Sequence, residues 1–412
     1  MRGGLWELLR PPLQGVAGVL LVAIGAAIIS GQVVLWRNTI DDRDAQDFGI
    51  FLTSVRTFAA GGSLYPAAAS IRNRTLYRTG QLNLNLPHTH LILMPLVGLT
   101  PQTALTIWVG ASIIVIVLCV LAVLQALRWR LPALWWLAIG VYLLAWGPAA
   151  AYSLTAQISL LLAGPVTAAW ISLRHGRHGR AGAWLGLAAA IKPFLFLFVP
   201  YFAIRRDWRA LQTFALAAVT IVAAGIFVFG LDAYREWASQ LPRIDWATHY
   251  FNASIAGLAQ RVFGRSYYAS VRHVWIEAIV MLAAMVAVAS VSFRRIAQRR
   301  AAEGVDSIDL DWAVLLLASL LLSPLGWVYY LWIALGPLAA AIGHSRFWQA
   351  PRRADLLLVP GLAGWLWFGK MTGWGQPNVL ATATFASMYF WALLSLWLWV
   401  SINRANTECE TR

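Results

Sequence analysis

The chain has 412 residues, 60% of them hydrophobic and only 12% charged, against about 25% charge in a soluble protein of this size. That balance excludes an ordinary soluble domain. The net charge of +15 is carried almost wholly by arginines at the ends of apolar runs, which argues for anionic lipid on a cytoplasmic face and against nucleic acid as partner.

Apolar segments of membrane-spanning character fall at about 14–36, 101–127, 131–150, 157–173, 181–204, 210–230, 273–293, 311–324, 327–343, 355–369 and 381–402. They define an all-α polytopic membrane protein. With no internal repeat and no low-complexity linker, residues 1–412 read as one integral membrane domain. The first run is too long for a cleaved signal peptide and reads as a signal anchor that stays in place. Cys119 lies in an apolar run and Cys409 in the polar tail, so neither a disulfide framework nor a zinc site is expected.

After the first span comes TIDDRDAQDFGIF, with Asp41, Asp42, Asp44 and Asp47. Three readings stand side by side. A carboxylate between a span and an amphipathic helix is partly desolvated, which raises its pKa and suits it to general base work. Asp44 or Asp47 instead caps the following helix and complements its dipole. Or the DDRD carboxylates hold a divalent cation against a phosphate; that option is the weaker, and no metal site is assigned. Phe48, Phe51, Val55 and Phe58 recur at helical spacing, which predicts an amphipathic helix on the membrane surface, ended by Gly61 and Gly62. PHTHLILMPL predicts a second short surface helix. His88 and His90 read as loop polarity, since side chains two apart on a helix diverge and cannot share a metal.

The Arg-rich connections at 128–130, 174–180, 205–209, 294–300 and 346–353 are cytoplasmic by the positive-inside rule. Two of them flank segment 181–204. A single crossing there would put the later clusters outside, whereas entry and return keeps all five inside. Pro193 supplies the break, because it removes a backbone donor and disfavours helix at Lys192. The segment is therefore expected as two half-helices, 181–191 and 194–204, with Lys192 beside a cavity. Both termini are then cytoplasmic, and residues 37–100 and 231–272 form two long outer loops.

Six stretches, in order across about 47–338, resemble glycosyltransferase family 87: DFGIFLTSVRTFAAGGSLY, NLNLPHTHLILMPL, AQISLLLAG, AGAWLGLAAAIKPFLFLFVPYFAIRRDWRA, NASIAGLAQRVFG and LLSPLGWVYYLWIALGPL. Two of them depart from the family's pattern. Ala156 and Ser159 stand where members show Gly and Asn, and Tyr329 and Tyr330 stand where members often show His. The resemblance implies a GT-C-type bundle of about 10–12 transmembrane helices, with broken half-helices and outer-face amphipathic helices. It implies transfer of a mannose-like hexose from a polyprenyl-phosphate donor to a lipid-linked or glycan acceptor hydroxyl, at the outer face of a bacterial-type plasma membrane, with no resident cofactor. On this reading Asp47 is the general base of an inverting displacement. Lys192, Arg261, Tyr329 and Tyr330 attend the donor phosphate, with Arg43 and Arg56 as further candidates. Asn252, Ser254, Trp327 and His88 attend the sugar or acceptor. Competing readings are a transporter or flippase for a lipid-linked sugar, which broken helices and an intramembrane charge also fit, and a non-catalytic relative.

Overall fold

The computed structural model describes residues 11–41, 46–65, 83–129, 131–243, 248–263, 274–300, 304–345, 352–366 and 379–403. Among them the structure is helical, with one bridging pair, Asn252 with Trp327. The helices are α1 (Pro11–Asp41), α2 (Gln46–Ala59), α3 (Pro101–Leu127), α4 (Ala133–Ala145), α5 (Gly147–Thr155), α6 (Ser159–Arg174), α7 (His178–Ile191), α8 (Phe198–Arg205), α9 (Trp208–Gln240), α10 (Ile255–Phe263), α11 (Val274–Arg299), α12 (Val305–Leu322), α13 (Leu335–His344), α14 (Leu358–Ala363), α15 (Val379–Ala383) and α16 (Met388–Ile402). Short 3-10 turns precede α8 and α13, at Pro193–Leu197 and Val328–Ala334, and another stands alone at Pro87–Leu96.

Among the described residues, five helical stretches are long and apolar enough to cross a membrane: Gly15–Val34, Pro101–Leu127, Trp208–Gln240, Trp275–Arg299 and Val379–Ile402. The pair α4 and α5 makes a sixth if taken as one span bent by 45°. The bend falls where Pro148 disfavours helix at the residue before it. Gly147 is required there, because a Cβ would meet the Trp365 carbonyl oxygen at 2.8 Å. The other apolar segments are shorter or broken. Large side chains such as Val19, Ile114, Phe227 and Trp275 stand exposed on α1, α3, α9 and α11, as lipid-facing surfaces require.

The chain forms two compact units. One comprises Gln32–Ala122 and Ala151–Trp246, and is called here the Asp47 unit. Its frame is α7 against α9. Gly182 faces Ala210 and Thr213, Gly186 faces Phe214, and His178 meets Asp207 at 2.5 Å, so residue numbers rise together and the two helices run parallel. The intervening 191–206 must therefore turn back. Helix α7 stops at Lys192, which is extended (φ −132°, ψ 101°), and Pro193 opens the returning limb. The return ends at Arg206, in the left-handed conformation, and Asp207 caps α9 by accepting from the Ala210 N–H at 3.1 Å.

Helix α2 does not lie free on a membrane surface. Phe48, Ile50, Phe51, Leu52 and Val55 are all buried, in a cluster with Leu93, Leu105, Trp108 and Phe229. Each such side chain contributes roughly 2 kcal/mol over its water-exposed state. The helix ends at Gly61 (φ +83°), with the Gly62 N–H returning to the Thr57 carbonyl. Arg56 donates to the Val97 and Leu99 carbonyls, fastening the end of the Pro87–Leu96 turn.

The other unit comprises Met1–Gly31, Val123–Ala150 and Ala247–Arg412. Its centre is α12, buried along nearly its whole length. Two buried carboxylates near the start of α12 are matched. Asp311 pairs with Arg299, and Asp309 accepts from His344 Nε2 at 2.9 Å. Arg299 also donates to the Val400 and Asn403 carbonyls at the end of α16. The expected second outer loop is partly helical. Helix α9 continues through a kink at Gly230 to Gln240, and α10 follows at 255–263.

Candidate active site

In the Asp47 unit, Asp47 sits in the first turn of α2, partly buried. Gln157 Nε2 donates to its Oδ2 at 2.7 Å. Burial pushes the carboxyl up to about 6, against the opposing pull of the Gln157 hydrogen bond and the Lys192 charge. Gln157 is delivered by an unusual backbone. Ala156 adopts φ +47°, and its carbonyl accepts from Trp108 Nε1 at 2.8 Å. The result is a carboxylate that titrates about one unit below neutral pH, fixed by one donor, within the field of a lysine.

Lys192 Nζ donates to Asn85 Oδ1 at 2.7 Å. Asn85 belongs to an ordered stretch before Pro87. Its backbone and side-chain N–H groups reach Asn83 Oδ1 at 3.1 and 3.4 Å, and Tyr65 donates to its carbonyl. Asn83 Nδ2 lies 2.7 Å from both Ser54 Oγ and His90 Nε2. Trp237 Nε1 holds the Leu84 carbonyl at 3.0 Å.

His88 and His90 are buried, not loop polarity. His88 Nε2 donates to the Ala190 carbonyl at 2.7 Å, and Nδ1 meets Tyr234 Oη at 2.9 Å. Both ring nitrogens are thus committed to protein partners. His88 clasps the end of α7, two residues before Lys192, to α9. Gly225 is obligatory beneath it, since a Cβ there would meet His88 Cβ at 2.3 Å. Burial lowers the pKa of His88, and that of His90 to about 4. Arg56, bound to two carbonyls, is likewise a fastening and not a free phosphate ligand.

The Arg261 site lies in the other unit. Arg261 is 5% exposed. Its Nε donates to Ser387 Oγ at 3.0 Å, and Nη1 donates to the His249 and Asn252 carbonyls at 3.0 and 2.9 Å. Nη2 is buried and has no partner among the described residues. Burial lowers its pKa to about 10, still charged at neutral pH. A fixed guanidinium with such a nitrogen has the chemistry to take an anion. Neighbouring His249 is pushed down to about 4, by burial and then by the Arg261 charge.

Asn252 and Ser254 are fully buried and build this site's backbone. Asn252 Oδ1 accepts from the Ser254 and Gly326 N–H groups, and Nδ2 donates to the Pro324 carbonyl. Ser254 Oγ accepts from the Gly257 N–H, capping α10. Tyr329 and Tyr330 are also buried, at 3% and 2%. Trp327 is partly exposed and stacks on Tyr329 at 6.1 Å.

Arg43, Asp42, Asp44 and the side chain of Asp41 lie outside the described residues. Among the described residues, no group of three His, Cys, Asp or Glu side chains is arranged to hold a metal. Asn83, Asn85 and Gln157 lie in the NLNLP and AQIS stretches, and no local pattern there marks them as site residues. The available signal was an unsatisfied amide side chain beside apolar sequence, which must find a partner when buried.

A family model described as Glycosyltransferase family 87 matches residues 83–308. The matched span holds His88, Lys192, Asn252, Ser254 and Arg261, while Asp47, Trp327, Tyr329 and Tyr330 lie outside it. No curated protein and no solved structure matches the chain.

Proposed function

The chain belongs to glycosyltransferase family 87, and from that premise we propose that this membrane glycosyltransferase moves a mannose-like hexose from a polyprenyl-phosphate donor to a hydroxyl of a lipid-linked or glycan acceptor. Asp47 takes the acceptor proton. The freed oxygen attacks the anomeric carbon, the bond from that carbon to the phosphate oxygen breaks, and the polyprenyl phosphate departs with the electron pair. Direct displacement by one base inverts the anomeric centre. The Lys192 ammonium meets the charge developing on the leaving phosphate. Arg261 offers an anion position in its own unit. No cofactor enters this scheme.

The observation that carries the reading is the Asp47 carboxyl itself, held by Gln157 and raised to about 6 by burial. A base poised near the working pH removes a proton most efficiently. The outer-face location rests on the length of α7. Its 14 residues separate the Arg-rich turn before His178 from Lys192 by roughly 20 Å along the axis. With the arginines on the cytoplasmic side, the polar cluster faces the other. In this reading both termini are cytoplasmic and the membrane is a bacterial-type plasma membrane.

The test uses the full chain in lipid, radiolabelled polyprenyl-phosphate sugars and a membrane extract as acceptor source. Label moves to a new lipid or glycan with the wild type and not with Asp47→Ala. Equal transfer by Asp47→Ala removes Asp47 from the mechanism, and no transfer from any donor overturns the assignment.

A further inference from the structure

Lys192 is one of two lysines among 32 basic residues, the other being Lys370. An ammonium on a flexible stem has no preferred direction of its own, unlike a guanidinium fork. Something must aim it, and the hydrogen bonds around Asn83 and Asn85 run in one direction only. His90 Nδ1 lies 3.1 and 3.2 Å from the Pro87 and Leu86 carbonyls. Carbonyls only accept, so Nδ1 carries the proton. The other ring nitrogen, Nε2, is 2.7 Å from the Asn83 amide. With Nε2 unprotonated, the amide must present its NH₂ there, and the same NH₂ group serves Ser54.

That orientation sets the next. Asn83 Oδ1 then points at the Asn85 backbone N–H, 3.1 Å away, and at Asn85 Nδ2. Flipping Asn83 would set an NH₂ against an N–H at one end and a carbonyl oxygen against a bare imidazole nitrogen at the other. With Asn85 Nδ2 committed inward, Asn85 Oδ1 is left facing Lys192. All three links, His90, Asn83 and Asn85, are at least nine-tenths buried, so water does not offer them an alternative partner. His90 is itself boxed edge-on by Phe51, Tyr65 and Phe229. Its lowered pKa, about 4 through burial, keeps the ring neutral across the physiological range.

We propose that His90 is a positioning residue: as the neutral tautomer with its proton on Nδ1, it orients Asn83, which orients Asn85, whose carbonyl oxygen aims the Lys192 ammonium at the ligand. The aim of Lys192 at a leaving phosphate rests on the function proposed above; the relay that directs it stands on these hydrogen bonds alone. It assigns His90 a role without contact to substrate.

The scarcity of lysine makes a direct test practical. In a Lys370→Arg background, reductive ¹³C-methylation of the full chain in lipid nanodiscs labels one side-chain amine, Lys192, besides the chain's terminal amine. Its methyl resonance reports the ammonium's surroundings with no substrate present. The resonance is expected to sit away from that of solvent-exposed dimethyllysine, and His90→Leu is expected to move it towards that position. His90→Gln, whose Oε1 accepts where Nε2 did, is expected to restore it. An unmoved resonance in folded His90→Leu overturns the relay. If His90→Leu does not fold, Asn83→Ala cuts the same chain with a smaller lesion and is read the same way. A separate arm measures sugar transfer. His90→Leu is expected to lower kcat on the order of 10²-fold, with KM little changed and recovery in His90→Gln. A shifted resonance with unchanged transfer keeps the relay and removes Lys192 from the chemistry.

Discussion

As the base of the proposed transfer, Asp47 would join two demands that oppose each other. Burial favours its neutral form, while proton abstraction needs the charged one. Its folded pKa is raised from 3.8 to about 6, so its ionisation costs the folded state stability. Relative stability is full below pH 3.8 and falls as pH rises towards 6. Two outcomes follow for Asp47→Asn. Transfer falls ~10²–10⁴-fold. Thermal stability above pH 6 rises by on the order of 2 kcal/mol, because the buried charge is gone. Wild-type transfer gains activity with pH, with a limb centred near 6, read from the pH dependence of kcat/KM. A substitution that stabilises the protein while abolishing transfer separates a catalytic carboxylate from a structural cap. The helix that carries Asp47 was legible in the sequence from the spacing of Phe48, Phe51 and Val55. The signal was poor for His88 and His90, because polarity in an outer segment reads as solvent exposure until long-range partners such as Ala190 and Ser54 are known.

At the scale of elements, small residues decide where helices meet and where they stop. Gly186 lets α9 approach α7 so closely that an added Cβ would lie 2.2 Å from the Phe214 carbonyl oxygen. Gly186→Ala is expected to cost about 1–3 kcal/mol by overpacking, seen as a lowered denaturation temperature in detergent. The joint between α5 and α6 carries a strain in the opposite sense. Ala156 holds φ +47°, a conformation costing a non-glycine residue about 1–2 kcal/mol. Ala156→Gly is expected to stabilise by roughly 0.5–1 kcal/mol after the greater unfolded-state freedom of glycine is deducted. Transfer should be retained, since Gln157 keeps its place. Pro193 made the break at Lys192 legible in the sequence, and an unbroken apolar run did the same for α3. The clasp of Asn252 on Pro324 and Gly326 was not legible, since it joins loops some seventy residues apart and no local pattern encodes it. The extension of α9 past Gly230 was hidden by the polar residues Asp232, Arg235 and Glu236, which look like a loop and instead decorate an exposed helical turn.

For the molecule as a whole, the parallel course of α7 and α9 dictates sidedness. Residues 177 and 207 belong to one face of the Asp47 unit, and residue 232 to the other end of α9. Single cysteines placed at Arg177, Arg206 and Asp232, in a Cys119→Ser, Cys409→Ser background, are expected to divide accordingly. The first two react with an impermeant thiol reagent only after the membrane is opened, and the third reacts from outside. Labelling of Arg177→Cys and Asp232→Cys from the same side would contradict the reversal between Lys192 and Arg206. That reversal also bears on how the chain is made. Neither limb, 178–191 or 193–205, is long enough to be taken up by a membrane as an ordinary span, and the glycine face of α7 packs against the helix synthesised after it. A nascent chain ending near residue 206 would therefore hold the hairpin with its glycine face uncovered by α9, and one ending past residue 240 would hold it covered. The site around Lys192 is completed during synthesis by a downstream helix, so its assembly is timed by elongation and not by the order in which its own residues emerge.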